Sequence, residues 1–221
     1  MTMSRYVLIV GNKNYSSWSL RPWILMKQAG IAFEERRIPL YGETSKAQIL
    51  QVSPSGKVPA LLDGNLAIWD SLAIAEYLNE QHPELGLWPA DSTARAHARS
   101  ISAEMHSGFA ALRSNMSMNC RKSFPGMGHT PAVDAEIDRI QQIWSDCRQR
   151  ADGPFLFGRF SIADAMYVPV VLRFKTYAVQ LSPSARKYAD TILELPALQD
   201  WIAAAILETE VLAQFEPAAA P

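Results

Sequence analysis

One change of pattern limits what this chain can fold into. Up to about residue 82, short apolar runs alternate with stretches of helical spacing. Beyond residue 91, only helical spacing remains. The segment between them, "HPELGLWPAD" (82–91), holds Pro83, Pro89 and Gly86, which favours a linker over a continuous element. The pattern predicts a first domain over residues 1–82, a linker over 83–92 and an all-helical second domain over 93–221.

In the first domain, "YVLIV" (6–10) is continuously apolar and β-branched, as a buried strand should be. A helix is expected over 21–30, with Pro22 in its first turn and Gly30 closing it. "FEERRIPL" (33–40) reads as a second strand, placed at a sheet edge by Pro39. A short helix over 46–52 precedes a Pro/Gly turn and a third strand. Asp63-Gly64 then predicts a hairpin to a fourth strand over 66–69, and a helix follows over 70–82. The order β-α-β-α-β-β-α is that of a thioredoxin-like domain, a mixed sheet with helices on its faces.

In the second domain, Ile101, Met105, Phe109 and Leu112 recur at helical spacing. So do Val133, Ile137, Ile140, Trp144 and Cys147, after Pro131 as a start signal. A third helix is expected over 160–181, entered through Ser161 with Asp164 three residues on, and kinked at Pro169. A last helix is expected over 195–208. Residues 121–131 read as a long turn-rich loop, and the tail "EPAAAP" (216–221) as disordered.

Composition excludes several functions. Hydrophobic residues make up 48% and charged residues 19%, which suits a packed core and argues against disorder. The net charge of −1 gives no electrostatic case for nucleic acid or an anionic membrane. Cys120 and Cys147 match no metal-ligand spacing or disulfide framework, so no metal is expected. Free thiols suit a reducing compartment. The apolar run at 6–10 is too short for a signal peptide's core or a membrane span. A cytoplasmic protein is expected.

The motifs, taken in order, resemble those of the cytosolic glutathione transferases. "SGKVPAL" (55–61) is similar to that family's Val-Pro segment, whose proline is cis. "WDSLAIAEYL" (69–78) is similar to its acidic-Ser motif opening a helix, and "GRFSIADAMYVPV" (158–170) to its capping-box helix. "NYSSWSLRPW" (14–23) resembles the Ser-Ser-Cys-Ser-x-Arg loop of the zeta class. The resemblance implies the two-domain glutathione transferase fold, with glutathione as co-substrate, a small electrophile as second substrate and a homodimer.

Each motif has a physical reading beside the family one. Val58-Pro59 is either an ordinary turn into a strand or a turn whose Val58 backbone pairs with an extended peptide. The resemblance makes that peptide glutathione. Asp70 and Ser71 are either a plain helix N-cap or a carboxylate site at a helix N-terminus. The resemblance assigns them the γ-glutamyl end, with Asp70 shorter than the family's usual Glu or Gln. Lys57 is either solvated or a partner for the glycyl carboxylate.

The serine loop is the expected reactive centre. A free thiol with a pKa near 8.5 is mostly protonated at neutral pH. A hydroxyl donor and a helix N-terminus both favour the thiolate. The zeta-like alignment puts Ser16 against sulfur, and a shift of one residue would choose Ser17. Ser19 reads as a helix cap. Trp18 stands where the zeta class has cysteine, which argues against mixed-disulfide chemistry. Tyr15 reads as a loop or pocket residue. Met105, Phe109, Arg113 and Arg173 are candidates for the second-substrate pocket, although Met105 and Phe109 also suit a core. Arg113 is either ion-paired or a site for an acidic substrate. Arg173 resembles an arginine that zeta-like enzymes turn toward a substrate carboxylate.

Three functions fit these motifs. The first is a glutathione transferase that activates the thiolate through a serine hydroxyl. The second is a glutathione-dependent cis–trans isomerase of the maleylacetoacetate type. The third is a non-catalytic glutathione-binding or regulatory protein on the same fold.

Overall fold

The structure, a computed structural model, describes residues 4–217. Residues 218–221, part of the tail read as disordered, lie outside the described residues. The first half contains β1 (Tyr6–Val10), α1 (Ser17–Gln28), β2 (Phe33–Arg37), α2 (Ser45–Val52), β3 (Ala60–Asp63), β4 (Leu66–Trp69) and α3 (Ser71–Gln81). The strand order is β2-β1-β3-β4. β1 and β2 run parallel, while β3 is antiparallel to both β1 and β4. This is the expected mixed sheet. β2 sits at the edge with its charged side chains exposed, which blunts that edge against pairing with another chain.

Strand alternation divides β1 between two cores. Tyr6, Leu8 and Val10 join α1, α3 and the helical half in the main core. Ile9 packs with Ile38, Ile49 and Ala60 in a smaller core under α2. After a 3-10 turn at Pro83–Leu85, the second half consists of α4 (Ser92–Ser107), α5 (Ala110–Asn115), α6 (Pro131–Gln149), α7 (Ile162–Thr176), α8 (Pro183–Leu193) and α9 (Pro196–Ile206). α1 packs against α7, α3 and α9, so one helix belongs to both halves of the core.

Several boundaries differ from the sequence reading. α1 begins at Ser17, not Arg21, so Pro22 lies in the helix's second turn. Its end is as expected. Gly30 takes φ +69°, its N–H donates to Lys27 O and the Ile31 N–H donates to Met26 O, which closes the helix in a Schellman motif. The stripe from Ile101 to Leu112 is not one helix. It breaks at Gly108 and Phe109, where Phe109 takes φ +54°. A side chain at 108 would press to 2.8 Å from Glu104 O, so the break needs a glycine there. α7 continues through Pro169. α8 was not expected, because its apolar positions lie among charged residues and its start signal, Ser182-Pro183, reads equally as a turn.

Candidate functional site

The site is built on the loop between β1 and α1, and both halves of the chain hold that loop. A Cβ at Gly11 would lie 2.7 Å from Leu40 Cδ1, so a side chain there would displace Leu40. The Asn12 amide oxygen accepts from Leu40 N–H at 2.8 Å. The Asn14 amide oxygen accepts from the N–H groups of Cys120 and Arg121 at 2.8 and 3.0 Å. Glu208 accepts from the N–H groups of Lys13 and Asn14 at 2.7 and 3.1 Å, and the Trp201 indole donates to Lys13 O at 3.0 Å. The Tyr15 hydroxyl donates to Glu216 at 2.6 Å and accepts from Arg121 at 3.1 Å.

The loop delivers Ser16 and Ser17 to the start of α1. Ser16 is the N-cap residue, yet its side chain makes no capping bond and the first turn holds no acid. Instead the Ser16 hydroxyl donates to Ser19 Oγ at 2.8 Å, and Ser19 Oγ also accepts from Gly11 N–H at 3.1 Å. Ser19 is therefore not the cap that the sequence implied. It lies inside the first turn and ties the helix back to β1. The Ser17 hydroxyl accepts from Arg173 Nη2 at 3.1 Å.

Three arginines surround this helix start. Arg21 lies 4.2 Å and Arg113 5.6 Å from the centre of the Trp18 ring, and His106 meets its edge at 5.2 Å. Arg173 also donates to Met116 O. Among the described residues, none of the three arginines makes an ion pair. Burial lowers the pKa of Arg21 to about 9, with repulsion from Arg113 and Arg173 adding to it. Burial also lowers Arg173, to about 10. Both stay protonated at neutral pH, so the site holds buried positive charge with little to balance it.

A cavity of about 620 Å³ opens in front of these residues. Tyr15, Ser16, Ser17, Trp18, Lys57 and Val58 line it from the first half, and Arg113 and Arg173 from the second. These eight candidates are brought together. Val58-Pro59 is cis, and Val58 rather than Pro59 meets the cavity.

Four other candidates lie outside its lining. Asp70 caps α3, with Oδ1 accepting from the N–H groups of Leu72 and Ala73 at 2.8 and 3.2 Å, while Oδ2 faces His106 at 3.1 Å. Ser71 is buried and its hydroxyl accepts from Arg21 at 3.4 Å. Met105 and Phe109 sit in the main core. The break at Gly108 takes Phe109 off the stripe that made it a pocket candidate.

Sequence reasoning missed part of the wall. Tyr41, Lys46, Ser117, Met118 and Phe215 also line the cavity. Phe215 comes from the C-terminal strap, residues 207–217 after α9, and meets Tyr15 at 5.9 Å and Tyr41 at 5.6 Å between ring centres. No local pattern marks it. A second cavity of about 480 Å³, near the linker and lined by Trp88, His97 and Phe157, contains none of the candidates. Burial pushes both thiols up, Cys120 and Cys147 each to about 12, and neither lines the serine cavity. Among the described residues, no cluster of side chains suits a metal ion and no helix is long and apolar enough to cross a membrane.

A four-stranded mixed sheet joined to a helical half, with an open helix start at their junction, defines a class. The family model for the glutathione S-transferase N-terminal domain matches residues 15–81, and that for the C-terminal domain matches residues 130–204. The chain belongs to the glutathione S-transferase superfamily, near its zeta class. A probable maleylacetoacetate isomerase of Caenorhabditis elegans is 27% identical over 200 residues, covering 89% of this chain and 92% of the relative. Glutathione S-transferase Z2 of Arabidopsis thaliana is 27% identical over 204 residues, covering 85% and 89%. The crystal structure of a glutathione transferase homolog from Burkholderia, with bound glutathione, superposes with a TM-score of 0.67. It is 24% identical and covers 90% of this chain and 97% of its own.

Proposed function

We propose that the chain is a glutathione transferase. Glutathione would enter the cavity along Val58, and its sulfur would meet the start of α1. There a hydroxyl of the Ser16–Ser17 pair would donate to the thiolate, which attacks a small electrophile. The thiol proton leaves to water, and the serine remains a hydrogen-bond donor throughout. The observation that carries this reading is the uncapped N-terminus of α1, whose two serines face a cavity beside arginines that have no ion-pair partner among the described residues. Such a site favours an anion at the sulfur position. Lys57 and Lys46 at the cavity wall suit the peptide's carboxylates. Asp70 and Ser71 would hold the γ-glutamyl end only after exchanging the partners they now have. We expect a cytoplasmic homodimer, with sedimentation as its check.

The test is conjugation of glutathione to an activated aryl halide by the wild type, Ser16→Ala and Ser17→Ala. We expect one substitution to lower kcat/KM by about 10- to 100-fold, the scale for loss of one hydrogen bond to a charged group. If neither slows the reaction, the serine assignment is wrong.

A second reading is a glutathione-dependent cis–trans isomerase of the maleylacetoacetate type. Two observations favour it. Relatives that align over most of the chain carry that name, and Arg113 and Arg173 offer an acidic substrate two cations. Isomerisation of maleylacetone decides between the two. A protein that fails to bind glutathione by calorimetry would be neither, and of the non-catalytic readings only a regulatory protein on this fold would remain.

A further inference from the structure

We propose that Arg173 is a positioning residue for thiolate formation, which turns and polarises the Ser17 hydroxyl so that Ser17, and not Ser16, donates to sulfur. This rests on the glutathione reading above. The hydrogen-bond directions around the two serines differ. Ser16 donates its proton to Ser19 Oγ, and Ser19 Oγ already accepts from Gly11 N–H. Ser16 therefore shows lone pairs, which repel a thiolate. Ser17 does the reverse. Its oxygen accepts from Arg173 Nη2 at 3.1 Å, and its proton has no acceptor among the described residues. Both serines line the cavity, so the free proton of Ser17 has the cavity to point into.

A guanidinium on the acceptor side of a hydroxyl strengthens that hydroxyl as a donor, more so in a buried site. The fork of Arg173 is itself fixed. One nitrogen is held by Met116 O and the other reaches Ser17, across the packed faces of α7 and α1. The thiol releases its proton to water, the thiolate accepts from Ser17 O–H, and Arg173 keeps its protons throughout. The other charged or titratable groups facing the pair are Arg21 from α1, Asp70 before α3, Arg113 from α5, and Tyr167 and Tyr177 in and after α7. Lys46, Lys57 and Tyr15 stand further along the cavity wall. All are left intact in the test.

The experiment titrates the ultraviolet absorbance of the thiolate of bound glutathione. It also follows kcat/KM against pH with a neutral aryl halide, so that Arg173 cannot act by holding a substrate carboxylate. Ser17→Ala should raise the apparent thiolate pKa by about one unit, a tenfold loss of thiolate below that pKa, while Ser16→Ala leaves it near the wild type. Arg173→Gln keeps a donor of similar shape without charge and should shift the same pKa upward by about half as much. Arg173→Lys should recover part of the shift. In a Ser17→Ala background, Arg173→Gln should add little, because the charge acts through the hydroxyl. Circular dichroism checks that each variant folds, and if Arg173→Gln does not, Arg173→Lys completes the same cycle. An equal shift from the Arg173 change with and without Ser17 overturns the inference, as does a larger shift for Ser16→Ala. Lack of a thiolate band in wild type overturns the glutathione reading and this one together. A wild-type band left in place by the Ser17 and Arg173 variants overturns only this one.

Discussion

α1 and α7 pack against each other, each is entered through serine, and each carries a proline in its interior, Pro22 and Pro169. Their starts are finished differently. At α7 the chain closes its own helix end. The Asp164 carboxylate reaches back to Ser161, accepting from its N–H at 2.9 Å and its hydroxyl at 3.0 Å, and also accepts from Leu156 N–H at 3.0 Å and the Tyr188 hydroxyl at 3.1 Å. All of this is buried. At α1 no acid enters the first turn and no side chain caps the helix. The positive end of the helix dipole and two serines face a cavity instead. A start closed by its own carboxylate stabilises the fold, whereas one left open is available to a ligand. Being a serine before a helix does not separate the two roles. What the chain supplies three residues later does.

The largest effect expected from this contrast is on stability. Asp164→Ala strands two buried backbone N–H groups and two buried hydroxyls. At about 1–3 kcal/mol for each unsatisfied buried group, less what water and relaxation recover, it should destabilise the protein by about 3–5 kcal/mol in denaturant unfolding. Ser17→Ala removes a single acceptor, that of Arg173 Nη2 at the cavity wall, and should change unfolding by about 1–2 kcal/mol while lowering activity. If Ser17→Ala costs as much stability as Asp164→Ala, the α1 entrance is structural and the contrast fails.

The pH dependence of stability sharpens the same point. Burial raises the Asp164 carboxyl to about 6, outweighing the hydrogen bonds from Leu156, Ser161 and Tyr188 that act to lower it. The unfolded value is about 3.9. Between these values the folded state holds a proton that the unfolded state has released, so stability falls as pH rises from about 4 to about 6 and is flat above. Asp164→Asn cannot titrate. The stability difference, wild type minus Asp164→Asn, should therefore decline across that interval by an amount on the order of 1–3 kcal/mol. Unfolding curves at a series of pH values measure it, and a difference that is constant or rises would contradict the assignment.

How much of this was legible depends on the range of the interactions. The order of elements in the first half and the Ser161–Asp164 pair follow from local rules and short motifs, the cis bond before Pro59 is implied by the family resemblance, and all are present. The end of α1 followed from Gly30 because a positive φ there favours glycine. Its beginning did not, because Pro22 suits a first turn by default while tertiary packing carried the helix back to Ser17. The stripe through Phe109 kept its spacing across a break that only the crowding at Gly108 reveals. Arg173 and Phe215 reach the site from 156 and about 200 residues beyond the serines. Arg173 was named through the family resemblance, and its bond to Ser17 could not be. Phe215 had no signal, since the strap takes its position from Tyr15, Arg121 and Glu216 rather than from any periodicity of its own.

That strap gives the smallest and most local prediction. The open start of α1 lacks internal closure, so its loop is positioned from outside, and Glu216 is one of the anchors. Its carboxylate accepts from the Tyr15 hydroxyl at 2.6 Å, the Asn119 amide at 3.2 Å and Lys122 Nζ at 2.8 Å. Burial opposes its ionisation, but the bonds from Lys122, Tyr15 and Asn119 prevail and hold the carboxyl below the usual range. Glu216→Gln keeps an oxygen for Tyr15 and Asn119 and loses the charge and the acceptor that face the exposed Lys122. The cost in thermal unfolding should stay under about 1 kcal/mol, as for other exposed ion pairs. Tyr15 and Phe215 form the cavity wall, so a looser strap should raise KM for the second substrate by about two- to threefold and leave kcat nearly unchanged, the pattern of lost uniform binding. A fall in kcat without a change in KM would mean that the strap, like Arg173, acts on the serines rather than on the wall.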